Sequence, residues 1–271
     1  MLAPSAHRHQ FLFVVALACA AVVALSAQSA LVPPIPFRGG VFEASGVIDV
    51  PGANGVLFVD DDRPKHVLWM PLSSAGVQAG DVKPVAIRAT VPDMEDITTD
   101  GDWVYVIGSQ SRGNGKADGL VRFHFHPDTL TVSDVQAIAG LRGLLAAAKP
   151  ELGLGRTRGA GALNIEGLTW DARRSRLLLG LRAPMAGADA IVLPVTIRDR
   201  TQPLAAANLD ASAPAIHLPL GGLAIRGLGY DRERHVALVL AGPSTDAPSN
   251  DFGLYEWDGE TAASLRHMGS Y

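Results

Sequence analysis

The fold of this chain is decided by the stretch Asn164–Pro184, which reads N-I-E-G-L-T-W-D-A-R-R-S-R-L-L-L-G-L-R-A-P. Two short apolar segments flank the polar tract D-A-R-R-S-R, which is the pattern of two strands joined by a tight turn. The second segment ends at Arg182. Similar units begin at Glu43, Glu95 and Arg226, so the strand–turn–strand pattern occurs four times in the chain. Repetition of this kind indicates a repeat architecture.

The spacing of the repeats points to propeller blades. Intervals of 52, 71 and 60 residues separate the aligned positions Glu43, Glu95, Glu166 and Arg226. These periods fit blades better than helical solenoids, whose repeats reach about 47 residues. The sequence therefore predicts an all-β, β-propeller-like fold with four detectable four-stranded blades. A β-sandwich would explain the strands but not the recurring turn. The last unit is expected to end with its fourth strand, so either the four units form a small ring or closure is incomplete.

The longer intervals contain insertions. Ala137–Leu152 is rich in alanine and leucine and is predicted to be one short helix inserted between the second and third blades. Gly153–Gly161 and Thr201–Pro214 are predicted to be loops, because they are rich in glycine, proline and polar residues.

The first thirty residues have the pattern of a secretory signal peptide. Arg8 precedes the apolar run Phe11–Leu25, and small residues continue to Ala30. We expect cleavage near Ala27, which leaves residues 31–271 as a single exported domain, periplasmic or secreted, without a membrane span. An uncleaved membrane anchor is the alternative, although the run is short against the roughly 20 residues that a spanning helix needs.

Composition excludes several classes of function. Cys19 is the only cysteine and lies in the predicted leader, so a mature chain has no disulfide and no thiolate ligand or nucleophile. The chain carries 27 acidic against 23 basic residues, of which Arg8 belongs to the leader. This mildly acidic balance does not predict binding to nucleic acid.

Candidate site residues follow from the blade geometry. Strands of a blade alternate in direction, so the start of the first strand and the end of the second lie on one face, around the axial channel. The starts of the first strands carry Glu43, Glu95 with Asp96, Glu166 and Arg226. The ends of the second strands carry Ser109, Arg112 and Arg182. We expect these groups to converge at one mouth of the channel.

The residue types suggest two kinds of chemistry. Carboxylates around the axis could hold a hard cation, so calcium is the candidate cofactor. Arg112 and Arg182 are suited to a bidentate grip on phosphate or carboxylate. Asp60 and Asp62 are a weaker metal prediction, because their run lacks the spacing of a calcium loop. The competing interpretation is structural, with each glutamate bonded to the neighbouring blade and neutralised by an arginine.

Several motifs carry a family resemblance. They are E-A-S-G-V-I (Glu43–Ile48), F-V-D-D-D (Phe58–Asp62), D-G-D-W-V-Y-V-I-G-S-Q-S-R (Asp100–Arg112), N-I-E-G-L-T-W-D and L-L-L-G-L-R-A-P of the opening stretch, and L-G-G-L-A-I-R-G-L-G-Y-D (Leu220–Asp231). Together they resemble the domain of unknown function 3616 family of mostly exported bacterial proteins. The resemblance implies a propeller-like fold, a remote likeness to phytase-related esterase-like propellers, and members that commonly continue past the point where this chain stops. It implies no established activity.

Three functions are compatible with this pattern. The preferred hypothesis is an exported propeller that binds a small ligand or a protein partner at its axial face. The second is a calcium-assisted hydrolase of phosphate or carboxylate esters, and the third is a structural protein of the cell envelope. The sequence leaves open whether the protein is an enzyme.

Overall fold

The fold was analysed in a computed structural model that describes residues 36–111, 119–156, 161–245 and 251–270. The predicted leader, Arg112 and residues 157–160 of a predicted loop lie outside these ranges. Within them, the chain forms four antiparallel sheets arranged as a four-bladed β-propeller, which confirms the predicted fold. No helix of the described ranges is long and apolar enough to cross a membrane.

Each blade follows the chain from the axis outward. Blade 1 consists of β1 (Ala44–Asp49), β2 (Gly55–Asp60), β3 (His66–Pro71) and β4 (Lys83–Ala86). Blade 2 consists of β5 (Met94–Thr99), β6 (Val104–Gly108), β7 (Gly119–His126) and β8 (Thr131–Ala139). Blade 3 consists of β9 (Asn164–Asp171), β10 (Arg176–Ala186), β11 (Asp189–Ile197), β12 (Leu209–Asp210) and β13 (Ile216–Leu218). Blade 4 consists of β14 (Ala224–Asp231), β15 (Val236–Gly242), β16 (Gly253–Trp257) and β17 (Arg266–Ser270).

The insertions differ from the sequence prediction in their bounds. The predicted helix is present as α1 (Leu141–Ala148), and a 3-10 turn follows at Pro150–Leu152. Residues 137–139 belong instead to β8, where they pair with β7. The predicted loop Thr201–Pro214 contains β12, because the outer edge of β11 is covered by two short strands rather than one.

The core consists of layers between consecutive blades. Alternation along each strand sends one set of side chains to each neighbouring blade. Tyr105 and Ile107 of β6 thus pack against blade 3, while Val104 and Val106 of the same strand pack against blade 1. Leu178 of β10 faces blade 4 in the same way. Three of the four junctions are therefore closed by buried apolar clusters.

The fourth junction is built differently. Phe58 and Leu68 of blade 1 are buried with Val82, and Phe42 packs against them from the segment before β1. No buried apolar cluster of the described residues joins blade 4 to blade 1. On blade 4, Leu240 is 38% exposed. Blades 4 and 1 therefore approach each other mainly at the axis, through β14 and β1.

A β-bulge interrupts the pairing of each innermost strand near its start. The residues at the bulge are Glu95 in β5, Glu166 in β9 and Arg226 in β14. In β1 the same position is occupied by Ser45, and Glu43 lies two residues earlier. The predicted equivalence of Glu43 with the other three residues is therefore wrong. A bulge adds a residue to one strand only, and the spacing of a single sequence does not show where it lies.

Candidate functional site

A buried carboxyl group, that of Asp96, lies at the axis of the ring. The position after each bulge is small in three blades and acidic in one, and its residues are Gly46, Gly167, Gly227 and Asp96. A side chain at Gly46 would overlap the Asp96 carboxyl, so blade 1 needs glycine there. Asp96 thus contacts the innermost strands of the other blades from the centre of the ring.

Asp96 accepts hydrogen bonds from the backbone of three blades. Its Oδ2 accepts the N–H of Leu168 at 2.6 Å and of Leu228 at 3.2 Å, and its Oδ1 accepts the N–H of Ile97 at 2.8 Å. Each of these three residues lies two positions after a bulge, where the ladder leaves backbone groups unpaired. Burial raises the pKa of Asp96 to about 8, although the three N–H donors act in the opposite direction. We refer to Asp96 with these three N–H groups as the axial plug. The structure therefore places this predicted site residue inside the ring, where both its oxygens are occupied.

Glu95 precedes Asp96 on β5 and lies close to further carboxyl groups. Burial raises its pKa to about 8, and the nearby carboxylates of Glu166, Asp93 and Asp61 add to the effect. Arg226 acts in the opposite direction and does not offset them. Glu95 is thus a partly buried carboxyl group with three other carboxylates nearby.

Glu166 has cationic partners on both sides. Its Oε1 accepts hydrogen bonds from Arg182 Nη1 at 2.8 Å and Asn164 Nδ2 at 3.2 Å. Its Oε2 lies 2.9 Å from Arg226 Nε. The Glu166 side chain is 6% exposed. The structure thus brings together the predicted residues Glu166, Arg182 and Arg226 as an ion-paired group. Within it, Glu166 joins blade 3 to blade 4.

A second acidic group lies on the blade 1 side of the mouth. Glu43, Asp61 and Asp62 each offer a carboxylate oxygen, and these oxygens lie within 4.8 Å of one another. Burial raises the pKa of Asp61, and the carboxylate of Asp62 adds to the effect. Asp61 Oδ1 is buried and has no hydrogen-bond partner among the described residues. We call Glu43, Asp61, Asp62, Asp93 and Glu95 together the acidic mouth.

Asp60 is not part of this group. It is 2% exposed, accepts the N–H of Asp62 at 3.0 Å and pairs with Arg63 Nε at 3.3 Å. Strand alternation would place Asp60 and Asp62 on one side, but β2 ends at Asp60, so the alternation does not continue into the turn. Of the two residues predicted to bind a metal, only Asp62 lies in the carboxylate cluster. Asp60 instead stabilises the turn after β2.

Ser109 lies beside the acidic mouth. Its Oγ donates to Asp93 Oδ2, and Ser111 Oγ lies 3.3 Å from the same oxygen. Ser109 is 1% exposed, so its hydroxyl is a positioning group for Asp93 rather than an accessible one. Arg112, the remaining predicted residue, lies outside the described residues.

Sequence reasoning missed Asp93 and Asn164 as members of the mouth. Asp93 and Asn164 precede the bulge in β5 and β9 by two residues, as Glu43 does in blade 1. An alignment of the four units on the glycine or aspartate after the bulge would have placed Glu43, Asp93 and Asn164 at one position, which Ala224 occupies in blade 4.

Comparison with known proteins supports the family resemblance over the second half of the chain. The model of the family described as "Protein of unknown function (DUF3616)" matches residues 158–269, which cover blades 3 and 4. A comparison with curated proteins gives no match.

Several solved structures are similar to this chain. Hydrazine synthase from Kuenenia stuttgartiensis shares 10% identity over 87% of this chain and 52% of that one, with a TM-score of 0.41. A putative 6-phosphogluconolactonase from Bacteroides uniformis shares 11% over 86% and 57%, with a TM-score of 0.42. The PQQ domain of pyranose dehydrogenase from Coprinopsis cinerea shares 11% over 85% and 54%, with a TM-score of 0.45. The chain spans about half the length of these proteins. Identity this low carries neither ligand nor activity to this chain.

Proposed function

We propose that this chain is an exported β-propeller whose acidic mouth binds a hard cation and, through it, a small anionic or hydroxylated ligand. The observation that carries the proposal is the group of Glu43, Asp61 and Asp62, whose carboxylate oxygens lie within 4.8 Å of one another. Export is supported by the leader pattern around Phe11–Leu25.

The charge balance of the mouth favours a cation. Arg182 and Arg226 are both bonded to Glu166, so their charge is directed at that carboxylate. On the other side, burial raises the pKa values of Asp61 and Glu95, and the nearby carboxylates add to the effect. A bound cation would relieve this repulsion, as a proton does.

The donor set fits calcium. Calcium takes six to eight oxygen ligands and accepts carboxylates in one- or two-oxygen mode. Glu43, Asp61 and Asp62 would hold the ion, and the buried Oδ1 of Asp61 would gain a partner. Glu43 and Asp62 are exposed, so the ligand positions that they leave open face solvent. A small molecule with a carboxylate, phosphate or hydroxyl oxygen could occupy those positions.

Calcium titration of the purified protein tests this proposal. We expect calorimetry to give saturable binding, and the midpoint of thermal unfolding to rise with calcium concentration. Asp61→Asn should weaken binding at least tenfold, because it removes a ligand charge without changing side-chain size. Glu233→Gln is the matched control, since Glu233 is exposed on a turn of blade 4. The proposal is wrong if the wild-type protein does not bind calcium, or if Asp61→Asn binds it as tightly.

A second candidate function is calcium-assisted hydrolysis of phosphate or carboxylate esters. The observation that favours it is Glu95, whose pKa of about 8 suits proton transfer near neutral pH. A bound calcium ion would supply a Lewis acid. Of the chain's own residues, Glu95 would accept or donate the proton at its carboxyl oxygen, and Arg226 beside Glu166 would orient an anionic substrate.

A panel of chromogenic phosphate and carboxylate esters, supplied with calcium, tests this second function. Hydrolysis that falls about a hundredfold in Glu95→Gln would support it. If the protein binds calcium but hydrolyses none of these esters, the hydrolase proposal is wrong and the binding proposal stands.

A further inference from the structure

A cavity of about 190 Å³ lies on the other side of the axial plug and opens on the face of the turns. The innermost strands of all four blades line it. On β5, Glu95 belongs to the acidic mouth while Ile97–Thr99 line the cavity, so Asp96 separates the two spaces. We call this space the turn-face cavity. A single water molecule needs roughly 10–15 Å³ of such space, so the cavity can admit a small organic molecule.

The inner wall of the turn-face cavity offers hydroxyl groups. Thr169 is fully buried, and its Oγ1 has no hydrogen-bond partner among the residues that the structure describes. Thr98 accepts the N–H of Trp170 at 3.0 Å, which leaves its own hydroxyl proton for a further bond. A threonine hydroxyl donates one hydrogen bond and accepts up to two, so rotation of the Thr169 side chain toward the cavity would allow its hydroxyl to bond a ligand hydroxyl.

The lining carries one charge of each sign. Arg232 donates to the carbonyl oxygen of Thr99 at 3.4 Å, and Asp49 ends β1. Neither side chain forms an ion pair within the described ranges, and both are exposed at the opening. Because a guanidinium and a carboxylate line the same cavity, a ligand with both an anionic and a cationic group would satisfy both.

We propose that the turn-face cavity binds a small zwitterion, an amino acid with a short hydroxylated side chain. Its carboxylate would bind Arg232, its ammonium group Asp49, and its hydroxyl the threonine wall. This site goes beyond the calcium-binding function proposed above, because the axial plug separates it from the acidic mouth and none of its groups belongs to that mouth.

Isothermal titration with L-serine tests this site on the purified protein in the presence of a calcium chelator. We expect saturable binding that weakens at least tenfold in Arg232→Gln and in Asp49→Asn, because each change removes one of the two charges. Thr169→Val should weaken serine binding about threefold without loss of stability, since its hydroxyl has no partner within the described residues. Arg234→Gln is the control on the same turn, because Arg234 pairs with Glu256 instead.

A cavity-filling variant and two half-ligands complete the test. The nearest atom to a Cβ added at Gly229 is the Leu238 Cβ at 3.8 Å, so Gly229→Leu should fold normally and abolish serine binding by filling the cavity. Ethanolamine and glycolate each carry only one of the charged groups and should bind at least tenfold more weakly than serine. Absence of serine binding, or serine binding that survives Gly229→Leu, would overturn the site. If glycolate bound as tightly as serine and its binding were unaffected by Asp49→Asn, the proposal that the ligand is a zwitterion would be wrong.

Discussion

Glu95 and Asp96 are neighbours on β5, and burial raises the pKa of each to about 8. Their surroundings are opposite in kind. Asp96 faces three backbone N–H groups that belong to three blades, whereas Glu95 faces the carboxylates of Glu166, Asp93 and Asp61. The carboxyl group of the axial plug is therefore saturated with donors, whereas Glu95 is surrounded by further carboxylates.

This difference separates a structural carboxyl group from a binding one. A carboxyl whose oxygens are occupied by the protein's own N–H groups has no capacity left for a ligand. A carboxyl surrounded by others gains stability from any proton or cation that enters. Glu95 and Asp96 are both carboxyl groups with a pKa of about 8. Only the groups around each one show that Glu95, and not Asp96, can bind a ligand or a cation.

The largest expected effect is on the axial plug. Asp96→Ala leaves three buried N–H groups without an acceptor, at about 1–3 kcal/mol each. We expect the free energy of unfolding to fall by at least about 3 kcal/mol, measured by chemical denaturation. Asp81→Ala, an exposed aspartate, is the control and should change it by less than about 0.5 kcal/mol. A similar small change in Asp96→Ala would mean that the plug does not hold the blades together.

The fold could be predicted from the sequence because its signal is repeated. Short apolar segments around the turns at Asp100–Asp102 and Asp171–Ser175 appear in equivalent places, and each repeat supports the assignment of the others. The bulges could not be predicted in this way, since each adds one residue at a point that no local preference marks. Glu43 was consequently aligned two residues out of register.

The site could be predicted only as a region. Placing Glu95, Glu166, Arg182 and Arg226 at one face follows from strand direction, and the structure brings them together there. The different roles of Glu95 and Asp96 depend on N–H groups at Leu168 and Leu228, which are more than seventy residues away in sequence. Contacts of this range arise from blade packing and leave no mark in the local sequence.

An intermediate effect is expected at Glu166, which shares properties of both regions. It lies at the mouth, but its oxygens are occupied by Arg182 and Arg226. Glu166→Gln should lower the free energy of unfolding by about 1–3 kcal/mol, because two partly buried cations lose their partner. It should leave calcium affinity within about twofold.

Glu260→Gln is the matched control for Glu166→Gln. Glu260 also pairs with an arginine, Arg174, but its side chain is 58% exposed, so its loss should cost less than about 0.5 kcal/mol. If Glu166→Gln instead abolished calcium binding while leaving stability unchanged, Glu166 would belong to the acidic mouth.

The smallest expected effect is a pH dependence that originates at Glu95. Its pKa is about 8 in the folded protein against an ordinary value of 4.5, so the folded state binds this proton more tightly than the unfolded state does. Between these values the stability of the wild type falls as pH rises. Glu95→Gln cannot lose a proton, so relative to the wild type its free energy of unfolding should rise by on the order of 1–2 kcal/mol between pH 5 and pH 8.5, measured by urea denaturation without calcium.

Glu233→Gln is the control and should follow the wild-type profile. Added calcium should reduce the difference at high pH, because the cation replaces the proton in screening the mouth. A Glu95→Gln profile parallel to that of the wild type would show that Glu95 is ionised at little cost and that the mouth is less crowded than its geometry indicates.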